Sequence, residues 1–407
     1  MKKSHARLAI IIALVASFSA VSRAATTIEW WQFWTDPEIK PTVMKLVAEF
    51  ERQNPDIKVN VTDLTWANGQ EKLAVAFAAN AGPDLMEIGS DWIAQFAAND
   101  RLADLSADLG GDSANFDGLG LASYNGKLYG FPWILGTRVL FINKDVLAKA
   151  NFSRETIPMN WPSLMESVTQ ITERGKGQYF GWGSNAPEKH RLYKKYMPFF
   201  WSNGAKVFSD DNKYCVLSSL AAIDALKFYR DLHDKGFVAD QRGIEDAWLA
   251  GKVAYVISGD WLIKRIESEK RTIDFATTFI PGPKYPGKSF MGGEFLSVNA
   301  QSSHPKEAIQ FIKFLTSAEN QVDFCKANRS ANPSSVKAQA DPYFQQNINL
   351  LTFIRQLRQS DHPPVDPNWP TIEDAIEKAV EDALFGSRLP ASALRNAQIQ
   401  VAKLRHP

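Results

Sequence analysis

Hydrophobic positions in the first third of the chain alternate between strand spacing and helix spacing. Thr27 to Phe33 is rich in β-branched and aromatic residues, which predicts a strand. Asp36-Pro37-Glu38 then supplies a cap, a proline for the first helical position and an acid for the first turn. Apolar residues at three- and four-residue intervals continue to Phe50. We therefore predict a helix that begins at Pro37 and ends before Asn54-Pro55.

The same alternation continues through the next forty or so residues. A second strand is predicted over Ile57 to Val61, a helix from Gln70 to Ala79, a short strand from Leu85 to Ile88, and a helix from Asp91. Strands and helices that follow one another at this spacing are typical of a parallel α/β sheet with right-handed crossovers.

Later segments extend this pattern. Tyr124-Asn125-Gly126-Lys127 contains the Asn-Gly pair of a tight hairpin. Further strands are predicted over Val139 to Asn143, Lys252 to Ser258 and Asp274 to Ile280. Helix starts are predicted near Trp161, Ser218 and His304, at a cap formed by Thr371, and at Pro390.

The N-terminus has the features of an export signal. Lys2, Lys3 and Arg7 precede an apolar stretch from Leu8 to Ala20, and small residues follow at Ser22 and Ala24. We predict cleavage after Ala24. A membrane anchor is the alternative, but the apolar stretch is shorter than the ~20 residues needed to span a bilayer. No cysteine follows the apolar stretch, which disfavours a lipoprotein. A soluble protein of the periplasm is the prediction.

Composition limits the class of protein further. Removing 24 of 407 residues leaves a chain too long for one ordinary core, so we expect two lobes. The net charge of +1 with 22% charged residues gives no reason to expect a nucleic acid or an anionic membrane as partner. The two cysteines, Cys215 and Cys325, could pair in an oxidising compartment or remain buried thiols. Twelve tryptophans are an excess that composition does not explain.

Seven segments, in order, resemble the family of extracellular sugar-binding proteins that includes the maltose and glycerol-phosphate receptors. They are "FERQNPDIKV" (50–59), "LAVAFAANAGPDLMEI" (73–88), "YNGKLYGFPW" (124–133), "FINKDVL" (141–147), "NWP" (160–162), "LAGKVAYVISGDW" (249–261) and "HPKEAIQFIKFLTSAENQ" (304–321). The resemblance spans nearly all of the chain after the predicted signal peptide.

This resemblance implies a two-lobed α/β periplasmic-binding-protein fold with three inter-lobe crossings and a central ligand cleft. We place the crossings near 136–138, 292–295 and 328–333. The N-terminal lobe would then contain 25–136 and 295–328, and the C-terminal lobe 137–294 and 333–407. Cys215 and Cys325 would lie in different lobes that must separate, so we expect them not to be paired.

Candidate ligand-binding residues follow from the chemistry of sugars, whose C–H faces pack on aromatic rings and whose hydroxyls need planar donors and acceptors. Ligands bind open α/β sheets at the carboxyl ends of their strands. Aromatic and polar residues after predicted strands, at the crossings and in second-lobe loops are therefore the candidates. They are Trp34, Thr35, Asp36, Trp66, Asp91, Trp133, Trp182, Trp201, Trp261, Gly293, Glu294 and Arg329. The tryptophan that matches Trp261 commonly stacks on the sugar in the resembled family.

Each candidate has a structural alternative. A tryptophan near a strand end is often a core residue, and Trp30 and Trp161 are assigned to packing. Asp36 and Asp91 could be helix caps, and Arg329 could form an ion pair between the lobes.

Motifs for catalysis give little support for an enzyme. The segment from Gly282 to Ser289 matches the phosphate-binding loop, but Pro283 and Pro286 remove two of the backbone donors that such a loop needs. No histidine pair has metal-ligand spacing, and no nucleophile elbow occurs. The basic run from Lys189 to Lys195 fits a solvated helix face or, alternatively, a site for an anionic sugar.

The sequence thus predicts the binding component of an ABC importer rather than an enzyme. The expected partners are a small sugar (mono- to trisaccharide or sugar alcohol) and the permease subunits of the inner membrane, with no cofactor, metal or nucleic acid. We expect a monomer. The alternatives are a periplasmic carbohydrate-active enzyme, or a receptor that presents its ligand to a chemoreceptor or sensor kinase.

Overall fold

Two mixed β-sheets, each covered by helices, organise the chain. The computed structural model of the protein describes residues 25–329, 332–386 and 388–405. The predicted signal peptide, residues 1–24, lies outside this part of the chain.

The elements up to the first crossing alternate largely as predicted. In order they are β1 (Thr26–Gln32), α1 (Lys40–Gln53), β2 (Ile57–Asp63), α2 (Gly69–Ala78), β3 (Leu85–Gly89), α3 (Ile93–Ala98), α4 (Ser106–Leu109), two short 3₁₀ helices (Gly110–Asn115 and Leu119–Ala122), β4 (Ser123–Tyr124), β5 (Lys127–Leu128) and β6 (Phe131–Gly136).

The middle of the chain builds the second sheet and its helices. In order these elements are β7 (Val139–Asn143), α5 (Lys144–Lys149), α6 (Trp161–Gly175), β8 (Phe180–Asn185), α7 (Leu192–Ser202), α8 (Leu220–His233), β9 (Phe237–Ala239), α9 (Gln241–Leu249), β10 (Val253–Ser258), α10 (Trp261–Ser268) and β11 (Phe275–Thr278).

The last part of the chain returns to the first sheet and then covers the second. Its elements are β12 (Ser289–Phe290), β13 (Gly292–Val298), α11 (Pro305–Leu315), α12 (Ala318–Asn328), β14 (Asn332–Pro333), α13 (Val336–Gln339), α14 (Pro342–Gln346), α15 (Ile348–Leu357), β15 (Ser360–Asp361), α16 (Trp369–Leu384) and α17 (Pro390–Arg405).

The first sheet has the strand order β14-β6-β13-β3-β1-β2. Strand β1 pairs in parallel with β2 and β3, whereas β13 runs antiparallel to both β3 and β6. The carboxyl ends of β1, β2 and β3 therefore lie at the same edge as the start of β13, where Glu294 is opposite Gly89.

The second sheet has the order β11-β7-β10-β8-β9. Strands β8, β9 and β10 are parallel, and β7 runs antiparallel to β10, so the start of β7 at Val139 lies opposite Ser258, the last residue of β10. Because only two residues separate β6 from β7, the chain passes directly from the edge of the first sheet to the matching edge of the second. These two edges form the walls of the inter-lobe cleft.

The strand pairings show which sheet the chain belongs to on each side of the three predicted crossings. The first two coincide with the passages from β6 to β7 and from β12 to β13. The third prediction, 328–333, overlaps β14, which still belongs to the first sheet through its pairing with β6. After β14, among the described residues, the chain returns to the second sheet at α15, which packs on β7 and β11. The physical reason is that Asn332-Pro333 provides one more edge strand before the chain leaves the first lobe.

Local predictions succeeded where a single short-range interaction decides the structure. Asn125 and Gly126 both have positive φ in the predicted hairpin between β4 and β5. At the start of α6, the Asn160 side chain accepts a hydrogen bond from the Ser163 N–H, and the Ser163 hydroxyl accepts one from the Asn160 N–H, which is a capping box. Cys215 and Cys325 are buried thiols that form no disulfide, as expected.

Two predicted helix starts are wrong. Helix α1 begins at Lys40 rather than Pro37, because Asp36 closes a separate turn: its carboxylate accepts from the Glu38 N–H at 2.9 Å and its carbonyl accepts from Lys40. Helix α16 begins at Trp369, two residues before the predicted cap Thr371, with Pro370 in its first turn. Proline is tolerated there because the first helical N–H groups have no partner within the helix.

Candidate ligand-binding site

The first-lobe wall of the cleft carries acids and one exposed aromatic ring. Asp36 follows β1, Trp66 follows β2, Asp91 follows β3, and Glu294 lies near the start of β13. All four come from the strand edge that meets the second lobe, so the parallel pairing of β1, β2 and β3 brings together residues distant in sequence.

Trp66 is the most exposed tryptophan of this wall, with 48% of its surface accessible. Its ring stacks on Phe33 with centroids 4.2 Å apart and planes inclined by 19°, and it is 5.4 Å from Trp92. One face is therefore supported by the protein while the side chain remains accessible. This is the geometry of a platform on which a flat apolar surface can stack.

Two carboxyls on this side of the cleft have altered acidity. Burial raises the pKa of Glu294 to about 7, with a further increase from the Asp260 carboxylate, whereas Arg138 and Lys194 lower it. Glu87, on β3, is fully buried and accepts from the Phe33 N–H at 3.0 Å. Burial also raises the pKa of Glu87 well above its ordinary value, which favours its neutral form.

The second-lobe wall is centred on Arg138 and Trp261. The Arg138 guanidinium lies over the Trp261 ring, 4.6 Å from its centroid. The indole N–H of Trp261 donates to Glu245 at 2.7 Å, and Glu245 also accepts from Arg265 at 3.0 Å. Trp261 is thus held in place by the protein on two sides, and the cation of Arg138 covers one face of its ring.

Direct contacts join the two walls. Lys264 on α10 contacts Asp36 at 3.3 Å and Glu38 at 3.7 Å, and it donates to Asn328 at the end of α12 at 3.5 Å. A second contact links the Asn332 side chain to the Asp260 carboxylate at 3.2 Å. Burial raises the pKa of Tyr193 well above its ordinary value, the Glu373 carboxylate raises it further, and the charge of Asp91 on the opposite wall adds to this increase. Charged groups of the two lobes therefore lie close together across the cleft.

Several predicted site residues lie inside the lobes instead. Trp133 is fully buried, with its ring 5.9 Å from Trp30 and 4.9 Å from Phe324. Trp182 is 2% exposed and packs on Phe199 in the second-lobe core. Strands β6 and β8 are buried on both faces, so a tryptophan within either strand is surrounded by core side chains. The structure therefore gives these two tryptophans packing positions.

The remaining candidates have intermediate positions. Trp34 is half-buried and Trp201 is buried near Phe290. Thr35 is exposed beside Asp36, and Arg329 is an exposed C-cap of α12 with φ of 54°. Gly293 pairs with Leu135, and a Cβ atom there would clash with the Ile134 carbonyl, so its role is to let β13 approach β6.

Three residues of the walls are not among the predicted ligand-binding residues: Arg138, Asp260 and Lys264. Arg138 and Asp260 are next to residues that were selected, at the first crossing and before Trp261, so proximity to the strand ends could have found them. Lys195 lies in the basic run, but it is 4% exposed and its ammonium donates to the Ile257 carbonyl at 2.7 Å. At this position the expectation of a solvated helix face is wrong.

The described residues contain no phosphate-binding loop, metal site or membrane-spanning helix that would indicate another function. The segment from Gly282 to Ser289 leads into β12 and not into a helix, as a phosphate-binding loop would. No group of three or more histidine, cysteine, aspartate or glutamate side chains there could hold a metal ion. In the same part of the chain, every helix is too short or too polar to cross a membrane.

Comparisons with known proteins agree with this geometry. A sequence profile described as "bacterial extracellular solute-binding protein" matches residues 36–322. A protein of Brucella abortus (strain 2308), itself only provisionally named a binding protein, is 24% identical over 401 residues, 95% of this chain and 94% of that protein. The galactooligosaccharide-binding protein of Bacillus subtilis (strain 168) is 25% identical over 374 residues, 89% and 86% of the two chains.

Among solved structures, the sugar-binding protein MalE of Xanthomonas citri superimposes with a TM-score of 0.83 at 23% identity, covering 93% of this chain and 97% of that one. This similarity confirms the two-lobed α/β fold. Since the family profile covers well over half of the chain, the protein belongs to the family of bacterial extracellular solute-binding proteins.

Proposed function

We propose that this protein is the periplasmic substrate-binding component of an ABC importer and that it captures a mono- to trisaccharide or a sugar alcohol. The observation that carries the proposal is Trp66, an exposed ring stacked on Phe33 at the edge of a cleft lined by Asp36, Asp91 and Glu294. An apolar platform beside carboxylates matches the two kinds of surface that a sugar presents. The names of relatives that bind oligosaccharides support the same class of ligand.

Capture would work by closure of the lobes around the ligand. A sugar that contacts both walls binds the closed form better than the open form, and it shifts the population towards closure by that difference in affinity. A permease that recognises the closed form would then receive the loaded protein. A dissociation constant near micromolar, about −8 kcal/mol, would allow both capture and release.

Location and assembly follow from the same proposal. We expect export through the N-terminal signal with cleavage after Ala24, which leaves a soluble periplasmic protein that acts as a monomer. The lobes would comprise 25–136 with 295–328, and 137–294 with the C-terminal residues, and the first two crossings would act as hinges. The binding role predicts that the protein does not chemically change its ligand.

Isothermal titration calorimetry against a panel of sugars and sugar alcohols tests the proposal. A panel member should bind with micromolar or tighter affinity. Trp66→Ala should weaken it at least tenfold, since aromatic stacking contributes about 0.5–1.5 kcal/mol beyond the apolar area buried, and the loss of that buried area adds to it. Tyr214→Ala is the matched control, because Tyr214 is an exposed aromatic residue (62%) on a second-lobe loop.

Two outcomes would contradict the proposal. Affinity that Trp66→Ala leaves unchanged would mean that the platform does not contact the ligand. Chromatography would show whether catalytic amounts of the protein convert a panel sugar to a product. Such conversion would identify the protein as an enzyme and not a receptor.

A further inference from the structure

Three basic side chains on the second-lobe wall have no carboxylate within ion-pair distance among the described residues. They are Arg138, Lys194 and Lys195, and in the described part of the chain none of them is within 4.0 Å of an acidic oxygen. Arg265 on the same wall shows the usual arrangement, because it contacts Glu245 at 3.0 Å and Glu269 at 3.1 Å. Buried and half-buried charges in proteins are ordinarily paired.

Arg138 is held by groups that leave its charge available. Its guanidinium lies 4.6 Å from the Trp261 ring centroid and 5.8 Å from that of Phe290, and it donates one hydrogen bond, at 3.0 Å, to the Thr137 carbonyl. An arginine side chain has five N–H donors in a fixed plane. The contacts therefore fix the position of the plane and leave most of its donors without a protein acceptor.

Lys195 is closer to the core but faces the same region. Its ammonium donates to Ile257, next to the carboxyl end of β10, which is also the end that adjoins Arg138 through the pairing of β10 with β7. Burial lowers the pKa of Lys195 well below its ordinary value, and the charge of Arg138 lowers it further. The two cations are thus near enough to repel each other.

Lys194, the third basic residue of this wall, lies near the same Phe290 ring as Arg138. Its ammonium is 5.3 Å from the Phe290 ring centroid, on which Arg138 also lies, and 5.4 Å from that of Tyr193. The nearby acids compensate this charge only in part: the Asp260 carboxylate acts on Arg138 from beyond ion-pair distance, and Glu294 has a pKa of about 7 and is partly protonated at neutral pH. A region with three cations and incomplete compensation favours an incoming anion.

We propose that Arg138, Lys194 and Lys195 form an anion subsite of the cleft, and that the transported saccharide carries a carboxylate or a phosphate ester. This inference rests on the proposed function and narrows its ligand class. The planar donors of Arg138 suit the two oxygens of a carboxylate or phosphate, and the two lysines supply additional charge. The sugar ring would extend from this subsite towards Trp66.

Matched pairs of sugars test the preference. Calorimetry at low salt compares glucose with glucuronate and with glucose 6-phosphate, galactose with galacturonate, and the corresponding disaccharides. An acidic member should bind at least tenfold tighter than its neutral partner, and 0.5 M NaCl should reduce the difference because salt screens charge. Comparison of the carboxylate sugars with the phosphate ester shows which of the two anionic groups the subsite prefers.

Three variants assign the effect to the subsite. Lys194→Met and Lys195→Met should each reduce the affinity for the acidic sugar at least tenfold and change that for the neutral sugar less than twofold, whereas Lys227→Met, an exposed lysine of α8, should change neither. Binding of the acidic sugar near pH 8 should also take up protons in the parent protein and not in Lys195→Met, measured from binding enthalpies in buffers of different ionisation enthalpy. Inert packing of Lys195 would not produce this proton uptake.

Inorganic phosphate provides a probe that needs no knowledge of the sugar. At constant ionic strength, phosphate should raise the Tm of the parent protein above its value in chloride, because a ligand that binds only the folded protein stabilises it. The double variant Lys194→Met/Lys195→Met should lose this shift. A neutral sugar as the tightest ligand, or no phosphate shift in the parent protein, would overturn the anion subsite. Binding of phosphate but of no sugar would instead overturn the proposed function and retain the subsite.

Discussion

The contact of Lys264 with Asp36 and Glu38 joins α10 of the second lobe to the β1–α1 loop of the first, so it exists only when the lobes are together. Replacement of Lys264 by methionine keeps the length and the apolar stem of the side chain but removes the charge. We therefore expect Lys264→Met to shift the ligand-free protein towards the open form and to weaken ligand binding, without a large effect on the stability of either lobe.

The size of this effect follows from the geometry. At 3.3 Å two unit charges attract by about 1.3 kcal/mol in a medium as polar as water, which is the appropriate limit because the Asp36 side chain is 53% exposed. Measured exposed pairs contribute about 0.2–1 kcal/mol after side-chain entropy and salt are included. With Glu38 as a weaker second partner, we expect about 0.5–1 kcal/mol, which corresponds to a roughly two- to fivefold increase in Kd.

Small-angle scattering of the ligand-free protein and calorimetry with the tightest ligand measure the two consequences. Lys227→Met is the matched control, because Lys227 pairs with Asp224 at 3.2 Å within one helix of one lobe. A double-mutant cycle with Asp36→Asn isolates the pair, and its coupling should disappear in about 1 M salt, where the Debye length is about 3 Å.

The pH dependence adds a second check on the same contact. The Glu38 backbone N–H and then the Lys264 ammonium hold the pKa of Asp36 below its ordinary value of 3.8. The Glu38 N–H belongs to the same loop as Asp36 and acts in both forms, so only the lowering caused by Lys264 distinguishes the closed form from the open form. That part stabilises the closed form above the Asp36 pKa of the open form and is lost as the pH falls through the lower pKa of the closed form. The coupling between Lys264 and Asp36 should therefore be constant from about pH 5 to about pH 8, because Asp36 stays ionised throughout that range. Equal Kd values for parent and Lys264→Met at low salt would refute this reasoning.

Two further predictions concern packing and protonation. Trp133→Ala should destabilise the protein by about 3–5 kcal/mol in chemical denaturation, because the ring is fully buried, while the ligand affinity of the folded fraction stays within about twofold; a large loss of affinity in a stable protein would instead support the sequence-based assignment of Trp133 to the site. Glu294→Gln should increase the free energy of unfolding by on the order of 2 kcal/mol at pH 8 and leave it unchanged at pH 4, since a carboxyl whose pKa is raised to about 7 loses its stabilising contribution as the pH rises from 4.5 to about 7. Denaturation curves of both proteins from pH 4 to 8 measure the difference, and parallel curves would contradict the prediction.

The order of strands and helices is determined by short-range patterns that the sequence carries directly. The Asn125-Gly126 turn, the Asn160 capping box and the β7 strand from Val139 to Asn143 agree with prediction because local backbone preference decides them. The start of α1 differs from the prediction because two local signals compete there. Asp36 can close a turn or cap a helix with the same carboxylate, and the turn is what forms.

The candidate site divides in the same way. Asp36, Trp66, Asp91 and Glu294 could be selected because they follow predicted strands or lie at a crossing, and the structure places all four at the cleft edge of the first sheet. Trp133 could not be separated from them, since a strand buried on both faces has no polar alternation to show which residues face the cleft.

By itself, the sequence determined the α/β class, the family and the residues available at the strand ends, because local propensity and ordered motifs depend on neighbours along the chain. Only the tertiary structure decided which charges meet across the cleft. Arg138 lies on Trp261, and Lys264 contacts Asp36. Lys195 is buried, although the basic run that contains it has the sequence pattern of a solvated helix face. Burial and pairing depend on distances between segments that are far apart in the chain, and those distances exist only once the two sheets and their helices have packed together.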